Sequence, residues 1–278
     1  MYDRWIKQCD FPVLGANIID NATGKPYLKP YEVLERDGVR IAVLGMITPA
    51  IPSWLPEKLW SGLHFEEMEP CARKWVKIIK EKENPDVIVG LFHAGKSGNV
   101  LGQVVEDASM DVAKRVPGFD VVLMGHDHTR ECVKVQNVAG DSVLVIDPAN
   151  NANVVSDVTL TVTKKDGKVV AKSVEGRLAD MNKYPVSQEF MDKFAPQYKA
   201  VNDFVSRKIG TISRTITAKD AYFGSSPFID LIHQLQLEIS GAEVSFCAPL
   251  SFRAEIKEGD IYVSDTVSYT HLTLPTNS

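Results

Sequence analysis

Two apolar runs of this 278-residue chain each end on histidine. Val87-Ile88-Val89-Gly90-Leu91-Phe92 meets His93-Ala94-Gly95, and Val121-Val122-Leu123-Met124 meets Gly125-His126-Asp127-His128. Strand ends in α/β proteins converge on one face, so three imidazoles are expected together there, and imidazole is a frequent ligand for zinc, manganese and iron. The chemistry this predicts is metal-assisted hydrolysis. In an extended loop residues i and i+2 point the same way, so His126 and His128 can address neighbouring ions while Asp127 faces elsewhere. Gly90, Gly95 and Gly125 permit close backbone approach. The plain alternatives are a hydrogen-bonded structural histidine at 93 and a solvated polar turn at 126–128.

Three neutral imidazoles do not suffice for a pair of ions ~4 Å apart, which needs carboxylates to bridge it and balance its charge. Asp107, Asp111, Asp120 and Asp147 are donors by type, but their contexts read as helix surface, strand entry and turn. Glu66-Glu67 and the pair Glu81 and Glu83 read as solvated helix ends. Arg253, in Ala248-Pro249-Leu250-Ser251-Phe252-Arg253, follows a strand and could offer a bidentate guanidinium to a phosphate; a surface arginine is the alternative. No phosphate-binding G-x-x-x-x-G-K-[ST] loop, no G-x-S-x-G elbow and no cysteine beside a plausible base occurs.

The elements that must carry these residues alternate. Tyr31 to Leu34 and Val39 to Met46 are β-branched runs flanking Asp37-Gly38, which predicts a hairpin. Met68 to Glu83 has helical spacing at Ala72, Trp75, Val76 and Ile79, with Pro70 near its first turn, and leads through Asn84-Pro85 into the strand that delivers His93. A second helix, Val105 to Arg115, is expected to lead into the strand that delivers His126. Ser142 to Ile146, Val154 to Val162 and Val169 to Val174 are expected as antiparallel strands closing one edge. From Ser187 to Lys208 the apolar positions return to helical spacing despite Pro196. Ser226-Pro227 opens a further helix that Gly241 ends. Val244 to Phe246 and Ile261 to Val263 are expected as strands.

Composition sets the outer limits. Hydrophobic residues make up 44% and charged residues 24%, as in ordinary globular proteins, and a net charge of −5 gives no support for a broad nucleic-acid-binding surface. Cysteines 9, 71, 132 and 247 are too dispersed for a zinc knuckle or a dense disulfide framework. No apolar run reaches the roughly 18–20 residues of a membrane span, and the opening residues lack the apolar core of a signal peptide. Asn21-Ala22-Thr23 fits a glycosylation pattern that often arises by chance.

In these residues the chain resembles the bacterial 5'-nucleotidase and 2',3'-cyclic-nucleotide 2'-phosphodiesterase family, whose catalytic half is a calcineurin-like metallophosphoesterase. The matching stretches are 11–18, 39–48, the His93-Ala94-Gly95 loop, Gly125-His126-Asp127-His128, and 226–252 from Ser226-Pro227-Phe228 to Ser251-Phe252. The resemblance implies an α/β (α+β) fold, a partial αββα sandwich over 1–182, joined by a helix at 183–208 to a truncated smaller α/β nucleotide-binding domain at 209–265. It implies two divalent metal ions, zinc, manganese or similar, with His93 and His126 on one and His128 on the other. It makes Arg253 a substrate-phosphate residue and implies attack of metal-bound hydroxide on the phosphorus of a 5'-monophosphate or a 2',3'-cyclic nucleotide. The implied setting is periplasmic or cell-surface, with a nucleotide as substrate and no nucleic acid, membrane span or protein partner.

The chain also departs from the family pattern. The leading D-x-H strand, the bridging aspartate of a G-D motif and G-N-H-[ED] have no counterpart ahead of Ala16-Asn17, and Asn17 belongs to a later motif. No catalytic residue is therefore assigned, and this fragment alone is expected to be inactive. The alternative is a nucleotide-binding or scaffold protein without the catalytic strands. Thr266 to Leu272 can be encoded by a transposase adapter used in DNA library preparation, so 266–278 is expected to be a translated adapter tail and Met1 an internal methionine.

Overall fold

In this computed structural model, which describes residues 2–247 and 253–270, the chain divides into two units, Met1–Pro185 and Val186–Ser278. The first begins with α1 (Tyr2–Ile6) and a three-stranded sheet in which β1 (Ile18–Asp20) lies between β2 (Lys25–Pro26) and, from further along, β5 (Leu63–Phe65). Then comes the expected hairpin. β3 (Tyr31–Arg36) and β4 (Val39–Ile47) pair antiparallel around Asp37 and Gly38, whose φ angles of 50° and 73° suit a tight hairpin turn. A short α2 (Ile51–Trp54) follows, and α3 (Met68–Glu83) has the bounds its spacing predicts.

α3 buries Met68, Cys71, Ala72, Val76 and Ile79, one stripe at three- and four-residue spacing, and Asn84 ends it in the left-handed conformation at φ 44°. β6 (Val87–His93) carries the first histidine. The second helix starts later than expected: Val104–Val105 is β8, paired with β7 (Val100–Leu101), and α4 runs only over Ser109–Arg115. Apolar valines at 104 and 105 suit either helix or strand, and the turn between the paired strands decided for strand.

β9 (Val121–Leu123) and β11 (Ser142–Pro148) are parallel to β6 and β4, and β10 (Arg130–Gln136) returns antiparallel beside β11. The sheet order is β10-β11-β9-β6-β4-β3, with the parallel strands central. One face packs on α3 and α4 through Leu44, Met68, Ile79, Val112 and Phe119, with Phe119 edge-on to Phe92 at 5.7 Å. β12 (Val154–Lys165) and β13 (Lys168–Asp180) do not close an edge of this sheet. They form a separate two-stranded ribbon whose Val158, Leu160, Val162 and Val174 lie on the other face, against Val87, Val89, Val121 and Leu144. Alternating β-branched residues give the ribbon one apolar side, and burying that side needs a sheet face rather than an edge. The layers are thus helix, sheet and ribbon, a mixed α/β arrangement.

The second unit contains α5 (Gln188–Val205), β14 (Lys208–Ile212), β15 (Ile216–Thr217), α6 (Pro227–Ser240), β16 (Glu255–Ile256), β17 (Gly259–Tyr262) and α7 (Val263–Thr270). The Ser187 hydroxyl caps α5 by accepting from Phe190 N–H, and Pro196 sits inside the helix. α6 packs Phe228 and Ile229 against Ile216, Ala218 and Ile256. Its Gly241 cap has φ 67°, while the Ser226 hydroxyl donates to Thr217 O at 2.6 Å rather than capping its own helix. Val244–Phe246 is not a strand: Val244 and Phe246 are exposed coil, while the Ser245 hydroxyl hydrogen bonds to His233 and Gln236 of α6. Val263 opens α7 instead of ending β17. Residues 248–252 of the stretch leading to Arg253, and 271–278 of the expected tail, lie outside the described residues.

Candidate metal centre

The register of the parallel strands assembles the site. Ile47 pairs with His93 across β4 and β6, Leu91 with Leu123, and Leu123 with Ile146, so the chain leaves β6, β9 and β11 side by side. His93, the His126–His128 loop and Asp147 therefore emerge at the same carboxyl-end rim. The His93 and His126 rings are 5.2 Å apart, edge to face. Burial, then the nearby His126 and His128, lowers the pKa of His93, which favours the neutral imidazole that a metal requires.

The second loop is not extended, as the sequence reading had it. His126 and His128 both have positive φ, 99° and 57°, and the chain bends sharply between them. Asp127 does not face away. Its carboxylate accepts from Lys96 N–H at 2.7 Å and from the N–H and hydroxyl of Thr129 at 3.0 and 2.8 Å, tying the two histidine loops together. Those hydrogen bonds outweigh burial and lower the pKa of Asp127. His128 is exposed, with its Nδ1 3.3 Å from Asn150 Nδ2.

Two of the four aspartates considered from sequence are at the rim and two are not. Asp107 accepts from Gly95 N–H at 2.6 Å, and a side chain at Gly95 would strike its Oδ1 at 2.4 Å. Burial raises its pKa, with Glu106 and Asp127 adding to the effect. Asp147 is fully buried; Oδ1 accepts from Ala149 N–H at 2.8 Å, and its carboxyl adjoins and hydrogen bonds with that of Asp127. Burial, with the neighbouring Asp127 charge, pushes Asp147 up to about 6. Asp120 lies at the opposite end of β9, bonded to Ile88 N–H and paired with Lys172, and Asp111 pairs with Arg115 on α4.

The residue that sequence reasoning missed is Glu106. Its Oε1 lies 2.9 Å from His126 Nε2, and ligand atoms of Glu106, Asp107 and His126 fall within 4.8 Å of one another. Trp54 of α2 stacks on the His126 ring at 5.2 Å. Asn17 is internal bracing: its side chain is buried and holds the N–H and C=O of Ile47 and the C=O of Glu66. Arg253 is exposed in the second unit.

This donor set fits divalent cations. It joins imidazoles with carboxylates, among them the clustered Glu106 and Asp107 beside His126. Among the described residues no helix is long and apolar enough to cross a membrane.

No protein-family model matches the chain. It is similar to the 2',3'-cyclic-nucleotide 2'-phosphodiesterase/3'-nucleotidase of Haemophilus influenzae, 26% identical over 256 residues, covering 83% of this chain and 39% of that protein. It is 30% identical over 131 residues to a 5'-nucleotidase of Vibrio cholerae, covering 46% of this chain and 24% of that one. The chain thus spans well under half the length of these curated relatives. Its fold matches the 5'-nucleotidase precursor of Thermus thermophilus, with a TM-score of 0.67 and 22% identity over 95% of this chain and 54% of that one. With the histidine loops and the layered sheet in place, the chain is similar in sequence to bacterial 2',3'-cyclic-nucleotide phosphodiesterases and 5'-nucleotidases and shares the fold of a 5'-nucleotidase.

Proposed function

We propose that this chain is part of a metal-dependent phosphoester hydrolase acting on nucleotides, 5'-monophosphates or 2',3'-cyclic nucleotides, and that its histidine loops form part of a two-ion centre. The observation that carries the reading is the 5.2 Å approach of His93 and His126 from separate loops. His93 and His126 would hold one ion and His128 the other, with zinc or manganese suited to the donors. Such ions would generate a nucleophile from water and offset charge developing on phosphoryl oxygens. The chain's own part is placement: β6 and β9 aim the rings, Asp127 fixes one loop to the other, and neutral His93 keeps its lone pair available.

Arg253 is proposed to bind the substrate phosphate through its guanidinium. The domain assignments 1–182, 183–208 and 209–265, a periplasmic or cell-surface setting and inactivity of this fragment alone belong to the same proposal. The test has two parts. Zn²⁺ or Mn²⁺ titrated into the chain by calorimetry should bind, and His93→Ala with His126→Ala should weaken binding at least tenfold. The complete gene product should release phosphate from a nucleoside monophosphate or a 2',3'-cyclic nucleotide. No metal binding by the chain, or no turnover across that panel, would refute the reading.

A further inference from the structure

Glu106 is 7% exposed and held at both carboxylate oxygens. Oε2 accepts from the Asn99 side-chain amide, Oε1 lies 2.9 Å from His126 Nε2, and the Glu106 N–H donates to Asn99 O at 2.9 Å. An ionised carboxylate offers only lone pairs, so the contact with His126 is a hydrogen bond only when Nε2 carries the proton. The lone pair of the neutral ring then sits on Nδ1. Trp54, tilted 38° against the same ring, restricts its rotation. Asp107 cannot take this task with Oδ1, which is committed to Gly95 N–H.

We propose that Glu106 is a positioning residue that fixes the Nε2–H tautomer of His126 and thereby presents Nδ1 as its metal-binding nitrogen, an inference that rests on the metal-centre reading of the histidine loops. A carboxylate behind a ligating histidine sets the tautomer, holds the ring plane and raises ligand basicity; its loss typically costs about 10–100-fold in metal affinity.

The experiment is long-range ¹H–¹⁵N correlation on the ¹⁵N-labelled full chain, metal-free and at alkaline pH, where histidine side chains are neutral and the spectrum separates protonated from lone-pair ring nitrogens. Wild type and Glu106→Gln should both show His126 as the Nε2–H tautomer, because the amide oxygen accepts the same bond. Glu106→Ala, with circular dichroism confirming its fold, should show mixed tautomers. Zn²⁺ added afterwards should shift His126 Nδ1, with affinity about 10–100-fold lower in Glu106→Ala and a smaller loss in Glu106→Gln. An Nδ1–H tautomer in wild type, an unchanged tautomer in Glu106→Ala, or Zn²⁺ bound through Nε2 overturns the proposal. A titration that moves no histidine resonance overturns the metal-centre reading instead, and the two failures separate because the tautomer is read before metal is added.

Discussion

Replacing Asp147 by asparagine should stabilise the first unit, and more so as pH rises. Asp147 is fully buried at the end of β11, and its pKa is raised from 3.8 to about 6, chiefly by burial. The folded state thus favours the protonated acid and takes up a proton between those two values. The group costs nothing below pH 3.8, its penalty grows as pH rises, and it is complete above about 6. The gap of roughly two units corresponds to about 3 kcal/mol at pH 8, of which about 1.5 kcal/mol is already present at pH 5. Asparagine matches the shape of the protonated acid and keeps the acceptor for Ala149 N–H, so any constant cost of the amide cancels between pH values. The gain of Asp147→Asn over wild type should therefore be about 1.5 kcal/mol larger at pH 8 than at pH 5. Urea unfolding in a metal chelator, followed by tryptophan emission, measures it, because all four tryptophans, at 5, 54, 60 and 75, belong to the first unit. An equal gain at both pH values would refute the reasoning.

Asn17→Ala should destabilise the first unit by about 2–4 kcal/mol in the same assay, since it strands the N–H and C=O of Ile47 and the C=O of Glu66 in a buried setting. Gly95→Ala should cost about 1–3 kcal/mol, because the new Cβ would lie 2.4 Å from Asp107 Oδ1 and 2.7 Å from Asp127 Cβ. The same change pushes the two histidine loops apart and should weaken Zn²⁺ binding roughly tenfold by calorimetry. Retained affinity would mean that the loops are not coupled through this contact.

What the sequence made legible was whatever local periodicity or turn chemistry determines. α3 emerged with its expected bounds because apolar stripe, first-turn proline and terminal Asn84 agree, and the β3–β4 hairpin because Asp37-Gly38 demands positive φ. β10 escaped notice, since an edge strand with exposed Arg130, Lys134 and Gln136 carries a diluted alternation. The ribbon's strands were found but not their place, because a half-apolar strand reads alike whether it extends a sheet or crosses one. In the site, the histidines were visible as polar interruptions after buried runs. Glu106 was not, for its meeting with His126 depends on register between β6 and β9 and on the β7–β8 hairpin. Its one sequence signal was an adjacent acidic pair, Glu106-Asp107, placed just before a helix instead of on its outer face.

Left-handed torsions at His126 and His128 set chemistry against durability. Backbone of this kind costs an L-residue with a Cβ about 1–3 kcal/mol, and neither ring can be had without it. Glycine would relax both positions while deleting the imidazoles. Variants selected only for resistance to heat should therefore drift toward glycine here and lose their grip on metal as they harden, whereas alanine keeps the torsional burden and forfeits the ligand as well.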